Sequence, residues 1–350
     1  MNIECYGIMP SMIPGDAQGI PARITAVHRE RYELVCEHGE TGGRLKTKEY
    51  YGGTEAFPTT GDIVMINYDP CGDSQIIKTL PRRTFFSRRD PTPGRGEQAV
   101  AANFDYVFIM QSLNLDFNPK RLERYLTLAW QSGASPVVIL TKADLSDRCE
   151  DFSRTVESIA VGVPVHAVSS RNGHGLSALG EYMKAGRTIV FLGSSGVGKS
   201  SLVNALAGED IMAVNGIRDD DSKGRHTTTH RQLIMLNCGA MIIDTPGMRE
   251  LGMWDVTEGL DSAFTDVERF LGKCRFRNCS HETEPGCAIR AAIESGELSR
   301  ERWESYKGLK DEAEYSDDKA TYLRAKQQWH KDIAKFNKQR KRDEKKMRMR

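Results

Sequence analysis

The sequence predicts a multidomain protein with a small N-terminal β-barrel, a central α/β domain and a C-terminal helical domain that holds a metal ion. Three observations predict this architecture. Short strand-like runs occupy the first part of the chain, a glycine-rich loop at 193–200 separates an apolar run from a helical segment, and three cysteines and a histidine cluster within 274–287. A length of 350 residues is enough for two or three domains.

The first domain, residues 18–85, consists of strand-like runs at 22–27, 32–36, 61–67 and 75–80, separated by Gly, Asp and Pro. This spacing is typical of a small β-barrel, and it fits an OB-type and an SH3-like barrel almost equally. OB-type barrels commonly bind oligonucleotides. Residues 86–101 are rich in Pro and Gly and are predicted to be a linker.

The central domain, residues 102–255, contains a phosphate-binding loop of the G-x-x-x-x-G-K-[ST] pattern. Its glycines let successive backbone N–H groups point into one concavity that suits phosphate oxygens. Lys199 would neutralise the β and γ phosphates, and Ser200 would ligate Mg²⁺. The predicted nucleotide contacts of this segment are Gly193, Ser194, Ser195, Gly196, Val197, Gly198, Lys199, Ser200 and Ser201.

A base-reading motif, Thr141-Lys142-Ala143-Asp144, follows the apolar run 137–140. The Asp144 carboxylate can accept hydrogen bonds from N1–H and the exocyclic amine of guanine, a pair that adenine lacks. The stem of Lys142 would lie along the base plane. A backbone N–H at Ser169 or Ser170, after the next strand-like run, would bind the guanine O6. Thr141 stands where guanine-binding proteins usually carry Asn, so it keeps a hydroxyl and loses an amide.

The order of these motifs is informative, because the base-reading motif precedes the phosphate loop. Downstream of the loop, Asp244-Thr245-Pro246-Gly247 follows a third apolar run. Asp244 would hold Mg²⁺ through water, and the Gly247 N–H would sense the γ-phosphate. All the parts of a GTPase are thus present in a rearranged order, which indicates a circularly permuted GTPase domain.

The polar segment 223–230 has no apolar periodicity and is predicted to be a switch loop. Met248 occupies the position where Ras-type GTPases carry a water-orienting glutamine, so unaided hydrolysis is expected to be slow. His226 is the candidate to place the water when the loop orders, with Lys199 as the second catalytic residue. A solvent-exposed loop histidine is the alternative interpretation of His226.

The C-terminal domain, residues 256–350, contains the cluster Cys274-x4-Cys279-x-His281-x5-Cys287. Three thiolates and one imidazole fit a closed tetrahedral Zn²⁺ site, which would be structural because no coordination position stays open. Disulfide pairing is the rival reading. The other five cysteines are scattered singly, as in reduced cytosolic proteins, and are Cys5, Cys36, Cys71, Cys149 and Cys238.

Charge is unevenly placed although the formal net charge is only +1. Residues 331–350 hold ten Lys/Arg against three Asp/Glu, and a second basic cluster consists of Arg82, Arg83, Arg88, Arg89 and Arg95. Such clusters suit a phosphate backbone, and a solvated tail is the alternative. No apolar run approaches about 18 residues, so the expectation is a soluble cytoplasmic protein.

Together these features resemble the RsgA family, the ribosome small-subunit-dependent GTPase A (YjeQ) type, across nearly the whole chain. The resemblance rests on the ordered motifs T-K-A-D, G-S-S-G-V-G-K-S, G-R-H-T-T-T and D-T-P-G, the Cys/His cluster, the barrel and the basic tail. It implies an OB barrel, Zn²⁺, Mg²⁺ with GTP, and late assembly of the small ribosomal subunit. The GTP form would bind the subunit and its rRNA and leave after stimulated hydrolysis.

Similarity to the paired threonines of related assembly GTPases favours Thr228 as the Mg²⁺ ligand of the switch loop, with Thr227 as the alternative. A monomer that does not bind membranes is expected. Two other functions stay open. A nucleotide-gated RNA-binding scaffold or translation regulator would show negligible turnover, and a nucleic-acid-dependent ATPase would have no use for Lys142 and Asp144.

Overall fold

The computed structural model describes residues 1–28, 31–46, 50, 55–89, 97–113, 117–146, 148–212, 231–244 and 257–313. These residues form a barrel, an α/β sheet domain and a helical domain in chain order. Within these ranges, no helix is long and apolar enough to cross a bilayer.

The barrel has five strands: β1 (Ile20–Val27), β2 (Tyr32–Cys36), β3 (Gly39–Leu45), β4 (Ile63–Asn67) and β5 (Ser74–Thr79). The strands β1, β2 and β3 form an antiparallel meander. β3 then pairs in parallel with β5, and β4 pairs with both β5 and β1, which closes the barrel. This closed five-stranded order is of the OB type and not the SH3-like alternative.

The sequence prediction missed β3, which contains Gly39, Gly42 and Gly43 and therefore has low strand propensity. At Gly42 and Gly43, side-chain ends of neighbouring residues lie close to the backbone and would have to move to admit a Cβ. A Cβ at Gly42 would lie 2.2 Å from an Asp73 carboxylate oxygen, and one at Gly43 would lie 2.5 Å from Leu34 Cδ1.

The stretch 86–101, predicted to be a linker, carries strand structure at both of its described ends. β6 (Phe85–Arg89) and β7 (Glu97–Ala102) pair as an antiparallel ribbon. The ring of Phe86 stacks on Phe104 at a centroid distance of 4.8 Å and so joins the ribbon to the central core. The Pro and Gly residues that indicated a linker lie between the two strands.

The strands of the central sheet are β8 (Tyr106–Ser112), β9 (Ser135–Thr141), β10 (Val165–Ala167), β11 (Thr188–Gly193), β12 (Gln232–Met235) and β13 (Met241–Asp244). Their order is β10-β9-β8-β11-β13-β12, and the first five strands in this order are parallel. β12 pairs antiparallel with β13 and, on its other side, with β1 of the barrel, where Ala26 lies opposite Gln232, so the barrel and the central sheet are continuous. Helices α1 (Pro119–Gln131), α2 (Cys149–Ile159) and α3 (Lys199–Ala207) connect the strands of the central sheet.

Buried apolar clusters cover both faces of this sheet, as parallel strands require. The carboxyl ends of parallel strands lie at one edge. Thr141 ends β9, Gly193 ends β11 and Asp244 ends β13. The three predicted motifs are thereby brought to the same edge of the sheet.

Arg23 of β1 joins the barrel to the central sheet and is almost completely buried. Its guanidinium donates to the carbonyls of Tyr6 at 2.6 Å and Asn103 at 2.7 Å, and to the Thr188 hydroxyl at 3.2 Å. Burial lowers the pKa of Arg23 to about 10, so the side chain stays charged at neutral pH.

The helical domain contains α4 (Thr257–Ala263), α5 (Thr265–Glu268), α6 (Ala288–Ser295) and α7 (300–313). Arg302 of α7 attaches it to the central domain and is 8% exposed. The guanidinium donates to Glu123 of α1 at 2.8 Å, to both carboxylate oxygens of Asp266 at 2.9 and 3.0 Å, and to the Ala263 carbonyl at 2.7 Å. It also lies 3.9 Å from the centroid of the Phe264 ring.

Replacement of Arg302 by leucine is expected to lower the free energy of unfolding by about 3–5 kcal/mol, because Glu123 would remain buried without its partner. Urea denaturation measures the change, and Arg300→Leu on the exposed surface of the same helix is the control. A loss below about 1 kcal/mol would show that the buried pair does not hold the two domains together.

Candidate nucleotide and metal sites

The phosphate loop connects β11 to α3 and is shaped by two glycines with left-handed backbone conformation. Gly196 has φ of 72° and Gly198 has φ of 102°, values that non-glycine residues rarely adopt. Lys199 is the first residue of α3, so the N–H groups at the start of this helix face the loop. Ser200 and Ser201 lie in the first turn and are half-buried.

Lys199 and Asp244 lie side by side, although 45 residues separate them in the chain. The amine of Lys199 forms an ion pair with the buried carboxylate of Asp244 at the end of β13. The structure therefore brings together the lysine predicted to neutralise phosphates and the carboxylate predicted to act on Mg²⁺.

The base-reading motif contacts the phosphate loop directly. The Thr141 hydroxyl donates to the Val197 carbonyl at 2.6 Å, and the Lys142 amine donates to the Gly196 carbonyl at 2.9 Å. Lys142 has φ of 60°, which turns the chain sharply after β9 into the short 3-10 turn Ala143–Leu145. The Thr141 hydroxyl thus connects the base-reading motif to the phosphate loop.

Asp144 is oriented by Ser169, whose hydroxyl donates to the Asp144 carboxylate at 2.6 Å. This hydrogen bond lowers the pKa of Asp144, so the carboxylate stays ionised and able to accept hydrogen bonds at neutral pH. The Ala143 N–H donates to the Val168 carbonyl at 3.1 Å and holds the two loops together.

The structure corrects the role predicted for the Ser169 backbone. Its N–H donates to the His174 carbonyl at 2.9 Å and is not available for guanine O6. Among the hydrogen bonds of the described residues, none uses the Ser170 N–H, which leaves Ser170 as the candidate donor. Sequence reasoning identified Ser169 but missed its hydroxyl, because the distance to Asp144 depends on how two loops pack.

Several predicted residues lie outside the described residues. They are Gly247, His226, Thr228 with its alternative Thr227, Met248, and the basic tail at 331–350.

In the predicted basic cluster at 82–95, the guanidinium of Arg82 donates to both carboxylate oxygens of Asp62, at 2.9 and 2.7 Å. Arg82 is therefore a structural residue and not part of a free surface for phosphates.

The Cys/His cluster is assembled as predicted, and the potential ligand atoms of its four residues lie within 4.8 Å of one another. Cys274 Sγ is 4.0 Å from Cys287 Sγ, and His281 Nδ1 is 3.4 Å from each of these sulfurs. Ligands with bonds of about 2.3 Å to a tetrahedral zinc lie about 3.8 Å apart, so the donor set fits this metal. The three cysteines form no disulfide in the structure, and the 4.0 Å between Cys274 Sγ and Cys287 Sγ is far longer than an S–S bond of about 2.05 Å, so the arrangement favours a metal site over a disulfide.

The surroundings of the cluster also suit a metal. The N–H groups of Ala288 and Arg290 donate to the sulfurs of Cys274 and Cys287 at 3.4 Å. Burial lowers the pKa of His281, which favours the neutral imidazole that metal binding requires. The His281 ring lies 5.3 Å from the ring of Trp303, which places the cluster against α7.

These features define a class of protein: a circularly permuted GTP-binding domain that follows an OB-type barrel and precedes a helical domain with a Cys3His cluster. The sequence pattern of the RsgA GTPase family matches residues 79–254. The small ribosomal subunit biogenesis GTPase RsgA 1 of Listeria monocytogenes is 47% identical over 307 residues, which are 87% of each chain. This chain belongs to the RsgA GTPase family, and it is a GTPase.

Two solved structures are similar to this fold. The structure of YjeQ from Thermotoga maritima has a TM-score of 0.63 at 27% identity and covers 83% of this chain and 98% of its own. The structure of YloQ, described as a circularly permuted GTPase, has a TM-score of 0.59 at 22% identity and covers 88% of this chain and 98% of its own. Both support the permuted fold.

Replacement of Ser169 by alanine is expected to weaken GDP binding about 3- to 10-fold, because Asp144 loses the hydroxyl that orients it. The pH below which GDP binding is lost should also rise, because the hydrogen bond that lowers the pKa of Asp144 is removed. Isothermal titration calorimetry measures both. Ser170→Ala keeps the backbone N–H and is the matched control; equal effects of the two variants would contradict the role of the Ser169 hydroxyl.

The Cys/His cluster is expected to bind one zinc ion per chain. Cys279→Ser should lose the metal and lower the melting temperature, whereas Cys71→Ser, at an exposed cysteine of the barrel, should retain it. Elemental analysis of the purified proteins gives the zinc content. Full zinc occupancy in the Cys279→Ser variant would show that this residue is not a ligand.

Proposed function

We propose that this GTPase acts late in biogenesis of the small ribosomal subunit, a process that the names of its relatives assign to those proteins. The GTP form would bind the subunit through rRNA and leave after hydrolysis that the subunit stimulates. The observation that carries the proposal is the pair of contacts between the base-reading motif and the phosphate loop, made within a chain 47% identical to such a GTPase.

The proposed binding roles follow from the motifs. Backbone groups of residues 193–201 surround the phosphates, Lys199 neutralises their charge, and Asp144 with Lys142 selects guanine. The Ser170 N–H binds the guanine O6. Ser200, Thr228 and Asp244 would hold Mg²⁺, which supplies charge neutralisation at the β and γ phosphates. The Gly247 N–H senses the γ-phosphate.

The hydrolytic step depends on help from the partner. Met248 can neither donate nor accept a useful hydrogen bond to water. We assign water placement to His226 of the segment 223–230, acting when the small subunit is bound. In related GTPase systems, transition-state stabilisation supplied by a partner increases the rate about 10³- to 10⁵-fold.

The barrel is the first candidate surface for rRNA. An open groove of about 520 Å³ lies beside its β4–β5 connection and is lined by Arg31 and Tyr68 among others. The Tyr68 ring is 37% exposed and lies 4.4 Å from the ring of His38. Arg31 is paired with Asp73, and Glu40 and Asp69 also line the groove, so the contact that the groove offers to RNA is base stacking on the exposed aromatic pair and not phosphate binding. The basic tail at 331–350 would add contacts to the phosphate backbone.

Zinc is assigned a structural role in the helical domain, and the protein is expected to act as a monomer. The fit of the Cys3His donor set supports the metal assignment. Because the four ligands leave no open position, the metal would stabilise the loop at 274–287 and take no part in hydrolysis.

Steady-state phosphate release from GTP tests this function. It is measured for the protein alone and for the protein with purified small or large ribosomal subunits. Strong stimulation by the small subunit only is expected. His226→Ala should keep GDP binding and lose at least about 10²-fold of the stimulated rate, whereas His230→Ala, in the same segment, should not. Nucleotide binding with flat, near-zero turnover under all conditions would favour the RNA-binding scaffold or translation regulator instead.

A further inference from the structure

Thr141 has no hydrogen-bond donor left for a bound nucleotide. Its side chain is 3% exposed, and its hydroxyl lies 2.6 Å from the Val197 carbonyl and 3.3 Å from the Gln111 carbonyl. A hydroxyl carries one hydrogen, and both neighbours are acceptors. The shorter distance assigns that hydrogen to Val197.

Guanine presents donors and acceptors on different edges. N1–H and the exocyclic amine are donors, whereas O6 and N7 are acceptors. An ionised carboxylate accepts only, so Asp144 takes the donor edge. A base held by this edge would direct the five-membered ring that contains N7 toward the junction of the two loops, where Thr141 meets Val197.

We propose that Thr141 is a positioning residue that fixes the base-reading motif against the phosphate loop and gives no hydrogen bond to guanine N7. Among the described residues, guanine is therefore recognised through N1, the exocyclic amine and O6. The inference rests on the proposed guanine site and specifies which atoms of the base that site recognises.

Wild-type protein tests the inference through calorimetric binding of GDP, 7-deaza-GDP and IDP. 7-deaza-GDP replaces N7 by a carbon and is expected to bind within about twofold of GDP, because no bond is lost. IDP lacks the exocyclic amine and should bind at least about tenfold more weakly, because Asp144 loses one partner. A penalty above about threefold for 7-deaza-GDP would overturn the inference.

Three substitutions separate positioning from base contact. Thr141→Ser keeps the donor and should resemble wild type. Thr141→Val removes the donor but keeps the shape of the side chain. It should weaken the binding of GDP and of 7-deaza-GDP by the same factor, about tenfold. Thr141→Asn has two amide N–H donors, so one can remain on Val197 while the other reaches N7. Only the Asn variant should prefer GDP to 7-deaza-GDP.

The outcomes distinguish this inference from the proposed function. If no guanine nucleotide binds to wild-type protein, the guanine site itself is wrong. If GDP binds and 7-deaza-GDP binds more weakly, the guanine site is supported, and Thr141 or another group forms a hydrogen bond with N7. If Thr141→Val weakens GDP but not 7-deaza-GDP, the hydroxyl contacts N7 and the positioning role is refuted. A loss in Thr141→Val that Thr141→Ser does not share would support the hydroxyl as the positioning group.

Discussion

The nucleotide site depends on one contact, the hydrogen bonds from Thr141 and Lys142 to the carbonyls of Val197 and Gly196. The base-reading motif and the phosphate loop belong to different parts of the permuted chain, so no short covalent connection sets their distance. Strand β8 lies between β9 and β11, and the Gln111 carbonyl at its end lies 3.3 Å from the same Thr141 hydroxyl. The ends of β8 and β9 and the phosphate loop that follows β11 thus meet at one side chain.

Buried arginines attach the other two domains to this sheet, and the barrel is also joined to it by the pairing of β1 with β12. Arg23 links β1 of the barrel to Thr188 at the start of β11, and Arg302 links α7 to Glu123 of α1. If one partner of such a contact is removed or displaced, a buried polar or charged group is left unpaired at a cost in free energy. This cost favours the one relative position of the two domains in which the contact forms. Strand β11 consequently carries the phosphate loop at one end and a barrel contact at the other, so the barrel is tied to the strand that positions the phosphates.

The sequence predicted the parts of the site that local pattern determines. Each motif follows an apolar strand-like run. Parallel strands bring their carboxyl ends to one edge of the sheet, so Asp144, Lys199 and Asp244 lie at that edge, as expected. The Cys3His spacing likewise predicted its own clustering. What the pattern missed depends on packing between distant segments: the glycine-rich strand β3, the Ser169 hydroxyl on Asp144, and the pairing of Arg82 with Asp62.

The central claim is that the two loops form a single site for a guanine nucleotide. Competition of unlabelled GTP and ATP against a fluorescent GDP analogue tests it most directly. A site that hydrogen-bonds the donor edge of guanine should prefer GTP by at least about 10²-fold, and sites of this kind reach about 10⁴- to 10⁵-fold. Equal displacement by GTP and ATP would show that Asp144 does not read the base and would contradict the account.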